Sequence, residues 1–343
     1  MTQKASIAAA APPIRERPLP DELLLHMHEL MLTSRLLEER LIRMQRQGDG
    51  YFWIGGPGEE AFNVALGLLV KKGRGLDHDF LHLHYRSSPT LIAMGADPVD
   101  SLRLMANTAS DPYTQGRNFA GHYSVRAWNV CPISSPIEVQ YSIAIGTAMA
   151  QRRHGGDGIT IVQGGDAGSA EGDFATCLVW SSRPGQELPI LIIVANNSWG
   201  ISTAAETQHG DDPIAGRGAA FGMRTMVIDG NDPIAAYLGL SEAMSYVRKE
   251  RKPLVLEARL SRLHGHSSSS GANRVTDEPD CLADFEAQLD AWGLRDRETS
   301  EAMRAAEEKR LLEATREVLQ EPKPAPEQAF DYVFATRNIV AED

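Results

Sequence analysis

Two continuous apolar runs constrain the fold of this 343-residue chain more than any other feature. Residues 159–162 (ITIV) and 189–195 (PILIIVA) are rich in β-branched side chains. Such strands are buried on both faces, as in parallel sheets that are covered by helices on each side. Residues 173–182 between them have a helical pattern, which predicts a right-handed βαβ crossover. The chain is therefore predicted to be an α/β protein with an open parallel sheet flanked by helices.

Periodicity predicts the other elements of this domain. Apolar residues at helical spacing predict helices over residues 21–47, 59–70, 136–152 and 233–248. Strands are predicted at 225–228 and 254–260, and the C-terminal part, 282–320, is predicted to be mostly helical. Residues 1–20 are rich in Ala and Pro and are predicted to form a disordered arm. No repeat or shift in composition divides the rest, so residues 21–343 are predicted to form one domain.

Polar residues follow both apolar runs at the points where the strands should end. The first run leads into Gly164-Gly165-Asp166-Ala167-Gly168, and the second into Asn196-Asn197-Ser198-Trp199. Ligands of open parallel sheets bind at the carboxyl ends of the strands. Carboxylate and amide oxygens suit Mg²⁺ that also binds phosphate oxygens, and glycines let backbone amides approach a phosphate closely. The two segments together predict a magnesium-diphosphate site.

Three other interpretations of these segments compete with that prediction. A nicotinamide-binding fingerprint needs GxGxxG after the first strand, and a P-loop needs a Gly-Lys-Ser/Thr sequence there. Neither pattern follows this strand. The third interpretation is two unrelated turns, one capped by Asp and one rich in Asn.

Composition excludes several classes of function. The net charge of −12 argues against nucleic-acid binding, which needs clustered Lys and Arg. Cys131, Cys177 and Cys281 are far apart in sequence, so they favour neither a disulfide framework nor a zinc site. This cysteine usage fits a cytoplasmic protein. No apolar run approaches the roughly 20 residues that a membrane helix needs.

The segment GGDAGSAEGDFATCLVW…PILIIVANNSWGIST resembles the thiamine diphosphate motif of 2-oxoacid dehydrogenase alpha subunits. That motif has Gly-Asp-Gly, a crossover and then Asn-Asn, and Ala167 departs from it at the second glycine. The resemblance spans about residues 24–290 and is closest to the branched-chain type. It includes blocks at Phe52-Trp53, Gly58-Glu59-Glu60, Tyr85-Arg86, 133–140 and 262–267. It implies a thiamine-diphosphate-binding α/β fold.

The resemblance also implies roles for individual residues. Mg²⁺ would be bound by Asp166, the side chain of Asn197 and the backbone carbonyl of Trp199. His266 would be catalytic, between the diphosphate and the substrate. The cofactor would be contacted by Tyr85, Arg86, Ser135, Ile137, Gly165, Asp166, Ala167, Gly168, Asn197 and His266.

Some of these residues have plainer interpretations when the resemblance is set aside. Tyr85-Arg86 fits a pair on the surface, and His266 fits a solvated linker. Ser134-Ser135-Pro136 fits a helix N-cap with Pro in the first turn.

The implied activity is oxidative decarboxylation of a 2-oxoacid, of the branched-chain type, with thiamine diphosphate and Mg²⁺. The acyl group would pass to a lipoyl group on an acyltransferase. A beta subunit would complete a tetramer of two alpha and two beta chains and would supply a glutamate to the cofactor. An acetoin or pyruvate dehydrogenase alpha subunit is the enzymatic alternative. A non-catalytic paralogue that only binds a partner is the non-enzymatic one.

Overall fold

The computed structural model describes residues 17–210, 212–275 and 277–331. Most of the predicted disordered arm, residues 1–16, lies outside these ranges, so its disorder stays a prediction. Of the arm's described part, Leu19 belongs to the hydrophobic core. Within the described ranges, no helix has both the length and the apolar character needed to cross a membrane.

A five-stranded sheet forms the centre of the described chain and confirms the predicted fold class. All its strand pairs are parallel, and the spatial order is β1-β2-β3-β7-β6. Its strands are β1 (Phe80–His82), β2 (Thr160–Gly165), β3 (Ile190–Asn196), β6 (Arg224–Asp229) and β7 (Leu254–Arg259). Beside it, β4 (Trp199–Gly200) pairs antiparallel with β5 (Thr203–Ala204).

The position of β3 at the centre of the sheet explains why its sequence is apolar without alternation. Ile190, Ile192 and Val194 face a core beneath α5 (Val139–His154) and α6 (Gly172–Ser181). Leu191, Ile193 and Ala195 face the larger core on the other side of the sheet. That core includes α1 (Asp21–Gln47), α2 (Glu60–Leu69) and α8 (Pro233–Glu250). The remaining described helices are α3 (Ser88–Ala93), α4 (Pro98–Ala106), α7 (Gly216–Ala219), α9 (Cys281–Ala291) and α10 (Arg297–Val318).

One predicted helix differs in its start from the helix in the structure. The helix predicted over 136–152 begins only at Val139, because Glu138 has a φ of +67°, which is outside the helical region. The interpretation of Pro136 as a first-turn residue is therefore wrong. The C-terminal part, 282–320, is mostly helical as predicted, and it forms two helices, α9 and α10, because Gly293 has a φ of +68° and Asp296 caps a new helix.

The order of the strands determines which loops meet. Because β1, β2, β3 and β7 are neighbours and parallel, their carboxyl ends lie at one edge of the sheet. The segments that follow them are residues 83–87, 166–170, 197–199 and 260–267. These segments hold most of the predicted site residues.

Candidate active site

A cavity of about 280 Å³ opens at this edge of the sheet. All predicted site residues except Asn197 line it: Tyr85, Arg86, Ser135, Ile137, Gly165, Asp166, Ala167, Gly168, Trp199 and His266. Asn197 is buried just behind the wall, where its Oδ1 accepts a hydrogen bond of 3.2 Å from the backbone N–H of Trp199. The sequence thus identified residues that the fold brings together.

Asp166 follows β2 directly and is almost fully buried. Its Oδ2 atom is buried without a hydrogen-bond partner among the described atoms. Burial raises the pKa of this carboxyl, although the nearby Arg86 guanidinium opposes the shift. A buried carboxylate oxygen that lacks a partner is costly, unless a cation or a proton occupies that position.

Arg86 lies at the centre of the site's charges. It is 3% exposed, so the interpretation of Tyr85-Arg86 as a surface pair is wrong. Its guanidinium lies 4.7 Å from the centre of the Tyr85 ring, and its Nε is 3.6 Å from Glu59 Oε1. It also lies 3.3 Å from Nδ1 of His266. One cation therefore links the segment after β1 to the segment after β7.

The protonation of His266 follows from this contact. Burial lowers the pKa of His266 to about 4, and the positive charges of Arg86 and Arg262 add to the effect. The imidazole is therefore neutral at neutral pH. Since Arg86 remains protonated and only donates hydrogen bonds, Nδ1 must accept, which leaves the ring proton on Nε2. His266 is thus a neutral group with one N–H donor.

The loop that carries His266 is tied to the segment before α2. The backbone N–H of Ser268 donates to Trp53 O at 2.9 Å, and Ser268 Oγ accepts from the Trp53 backbone at 3.2 Å. Ile54 and Ser267 form an isolated antiparallel bridge. These contacts hold the loop in place, so the interpretation of His266 as part of a solvated linker is wrong.

Glu59 is a buried residue of the site. The sequence indicated it only as part of the Gly58-Glu59-Glu60 block and predicted no role for it. Its Oε1 accepts from Asn197 at 3.1 Å, and its Oε2 has no partner among the described atoms. Burial raises its pKa to about 7, against the opposing effect of Arg86. The next residue, Glu60, accepts two hydrogen bonds from Arg35 at 2.6 and 2.9 Å, which anchors the start of α2.

Glu138 lines the cavity and was not predicted from the sequence. Its carboxylate accepts from the Gly165 N–H at 3.1 Å, and a Cβ atom on Gly164 or Gly168 would overlap it. Burial raises its pKa to about 8. Gly164 near the end of β2 and Gly168 after it are therefore needed for the close approach of this side chain, whereas the sequence pattern assigned these glycines to phosphate alone.

Ala167, which replaces a glycine of the motif, is accommodated without strain. It begins a short 3₁₀ helix (Ala167–Ala170) and is not among the described residues with positive φ. Its methyl group instead faces Gly200, where an added Cβ would lie 2.7 Å away. The substitution therefore has no backbone cost of the kind that a left-handed position would impose.

Among the residues that the structure describes, no three His, Cys, Asp or Glu side chains cluster with geometry that could hold a metal. A metal at this edge would therefore need other ligands, such as an amide, a backbone carbonyl and oxygens of a bound molecule. Asp166, Asn197 and Trp199 offer such a mixed oxygen set, which fits Mg²⁺ bound together with phosphate.

The fold and the cavity define an α/β protein with a polar, charged cavity at the carboxyl edge of its parallel sheet. Residues 28–327 match the dehydrogenase E1 component family, and the chain belongs to that family. Members of this family in general depend on thiamine diphosphate.

Individual relatives match most of the chain. The 2-oxoisovalerate dehydrogenase subunit alpha of Bacillus subtilis is 29% identical over 92% of this chain and 97% of its own length. The mitochondrial subunit alpha 2 of Arabidopsis thaliana is 27% identical over 92% of this chain and 67% of its own. The mitochondrial subunit alpha of Homo sapiens is 28% identical, with 94% and 73% covered.

Proposed function

We propose that this chain is the alpha subunit of a dehydrogenase that decarboxylates a branched-chain 2-oxoacid with thiamine diphosphate and Mg²⁺. The observation that carries the proposal is the unpartnered Oδ2 of Asp166, buried at a strand end in a cavity with Arg86 and His266. Family membership and relatives named 2-oxoisovalerate dehydrogenase subunit alpha support the substrate class.

Asp166, the Asn197 side chain and the carbonyl of Trp199 would hold Mg²⁺. The backbone of Gly165, Ala167 and Gly168 would bind the diphosphate, and Arg86 would neutralise one of its charges. The surroundings of Gly165 support this role. Apart from its chain neighbours, the described atom within 4 Å of a Cβ built on Gly165 is Arg86 Nη1, at 3.9 Å. Tyr85, and the backbones of Ser135 and Ile137, would contact the rings.

Thiamine diphosphate supplies a carbanion that adds to a 2-oxo group, and its ring then takes up the electron pair that stays behind when CO₂ leaves. His266 would act beside this chemistry as a neutral donor through Nε2–H. A fixed donor of this kind stabilises negative charge that develops on an oxygen, and such groups are typically worth about 3 kcal/mol. Arg86 would keep the imidazole in that tautomer.

The site is proposed to be completed by a beta subunit in a tetramer of two alpha and two beta chains. Ile137 and Ile201 on the cavity rim are 53% and 57% exposed. Trp180 on α6 is also exposed. Large apolar side chains at the mouth of a cavity are typical of a surface that a partner covers. The beta subunit would supply the glutamate for the cofactor, and a lipoyl-bearing acyltransferase would accept the acyl group.

A cytoplasmic location is proposed as well. All three cysteines are free thiols, as expected in a reducing compartment.

The experiment compares this chain alone with the chain co-purified with its beta subunit. Each receives Mg²⁺, thiamine diphosphate, an artificial electron acceptor and one of three substrates: 2-oxoisovalerate, pyruvate or acetoin. Turnover of 2-oxoisovalerate by the assembled enzyme, and none by the isolated chain, is expected. Turnover by the isolated chain would refute the two-subunit proposal. A preference for pyruvate or acetoin would refute the branched-chain assignment.

A further inference from the structure

The cavity has an apolar wall to which the proposed chemistry assigns no role. Phe52, Ile54 and Phe119 line it. The rings of Phe52 and Phe119 meet edge to face, with their centroids 5.1 Å apart. These three side chains have no hydrogen-bonding atoms, so the wall suits an apolar group of a ligand rather than a phosphate or a carboxylate.

One end of this wall, at Ile54, lies beside the loop that carries His266. Ile54 pairs through its backbone with Ser267, the residue after His266. Tyr85 is near Ile54: a Cβ built on Gly121 would be 3.1 Å from Tyr85 Cβ and 3.4 Å from Ile54 Cγ2. The Tyr85 ring then meets the His266 ring at 5.9 Å. The Ile54 end of the apolar wall is therefore beside the proposed reacting end of the cavity, and Phe52 and Phe119 continue the wall in the same cavity.

Phe119 is held firmly in this wall. Its backbone N–H donates to Asn118 Oδ1 at 3.0 Å. Its ring packs on His122 with centroids 4.3 Å apart. His122 is fixed at both ring nitrogens, with Nδ1 3.2 Å from Ala120 O and Nε2 2.8 Å from Ser135 Oγ. A ring packed between Phe52 and an anchored histidine cannot turn aside easily for a longer ligand.

We propose that Phe119 limits the length of the apolar side chain that the enzyme accepts on its 2-oxoacid substrate. This inference rests on the proposed function and adds to it a residue that selects among substrates. A short branched side chain would pack against Phe52, Ile54 and Phe119, whereas a long unbranched one would meet the Phe119 ring. Apolar pockets discriminate by about 10- to 200-fold for each methylene group that fits or fails to fit.

The test uses the assembled enzyme and two substrates, 2-oxoisovalerate and 2-oxooctanoate. The measured quantity is the ratio of kcat/KM for 2-oxooctanoate to kcat/KM for 2-oxoisovalerate. Because both values are taken on one preparation, the fraction of folded enzyme cancels from the ratio. Phe119→Ala should raise this ratio at least about tenfold, and Phe119→Trp should lower it. Phe119→Leu should raise it by less, and it keeps the comparison possible if the Ala variant folds poorly.

Phe221→Ala is the matched control, since Phe221 is 39% exposed and does not line this cavity. Its ratio should equal that of the wild type. An unchanged ratio in both Phe119→Leu and Phe119→Trp would overturn the proposal, even if both variants were slower than the wild type with each substrate. The failure of the wild-type enzyme to turn over any 2-oxoacid would instead refute the proposed function.

Discussion

Replacing Glu38 by Gln should remove a pH dependence that this carboxyl imposes on the stability of the protein. Glu38 lies on α1 and is 3% exposed. Its Oε2 accepts from Trp53 Nε1 at 2.9 Å, and its Oε1 accepts from Ser88 Oγ at 2.6 Å. Burial raises the pKa of Glu38 from 4.5 to about 7, against the opposing effect of these two hydrogen bonds.

The sign and size of the effect follow from that pKa. Between pH 4.5 and about 7 the folded protein keeps the Glu38 proton, whereas the unfolded chain releases it. The free energy of unfolding therefore falls as the pH rises through this window and becomes constant above it. At about 1.4 kcal/mol for each pH unit, the whole loss is about 3 kcal/mol.

A Gln at position 38 stays neutral at every pH, and it can accept from Trp53 and donate to Ser88. The assay is chemical unfolding of the assembled wild-type and Glu38→Gln enzymes at pH 5 and pH 8. From pH 5 to pH 8, the free energy of unfolding of the wild type should fall by about 3 kcal/mol more than that of the variant. Glu39→Gln is the control, since Glu39 pairs with Arg43 on the helix surface and should change stability by less than about 1 kcal/mol. Equal pH dependence in the wild type and in Glu38→Gln would refute the reasoning.

Three further predictions concern the cavity. Asp166→Ala should abolish the Mg²⁺-dependent binding of thiamine diphosphate by the assembled enzyme, measured by calorimetry; unchanged affinity would exclude Asp166 as a ligand. His266→Ala should leave the fold intact and lower kcat by about 100-fold or more, as expected for the loss of a positioned donor; wild-type kcat would show that His266 is not catalytic. Gly168→Ala should lower both the thermal midpoint and cofactor affinity, because the new methyl group overlaps the Glu138 side chain and overpacking costs about 1–3 kcal/mol. Gly172→Ala, where an added Cβ meets no atom within 4 Å, should leave both unchanged, and adding Glu138→Ala should partly rescue the Gly168 variant.

Periodicity predicted the elements whose burial is continuous along the chain. β3 is apolar on both faces because cores lie on both sides of it, and α1 has its predicted ends, Asp21 and Gln47. β1 was not predicted, because its three residues are too few to establish a pattern. The placement of Tyr85 and Arg86, which follow β1, therefore depended on the resemblance to a family rather than on periodicity.

The residues that sequence reasoning missed have contacts that no local pattern encodes. Glu138 has a left-handed backbone and sits beneath a loop 26 to 30 positions further along the chain. Phe119 follows no strand, and it reaches the cavity through packing on Phe52 and His122. A single sequence identifies ligands at the ends of predicted strands, because the strands fix where those residues meet. It does not identify side chains that reach the same place from irregular loops.

Glu138 and Glu59 also bear on the charge of the cavity. With Asp166, they place three buried carboxyl groups around Arg86, in a cavity proposed to receive a diphosphate. Three charged carboxylates and one guanidinium would repel such an anion. Burial raises the pKa of Glu59 to about 7 and that of Glu138 to about 8, so at neutral pH Glu138 is mostly protonated and Glu59 about half protonated. Of the three, Asp166 is then the carboxyl group best suited to a divalent cation, and the proposed Mg²⁺ would bring the positive charge that the diphosphate requires.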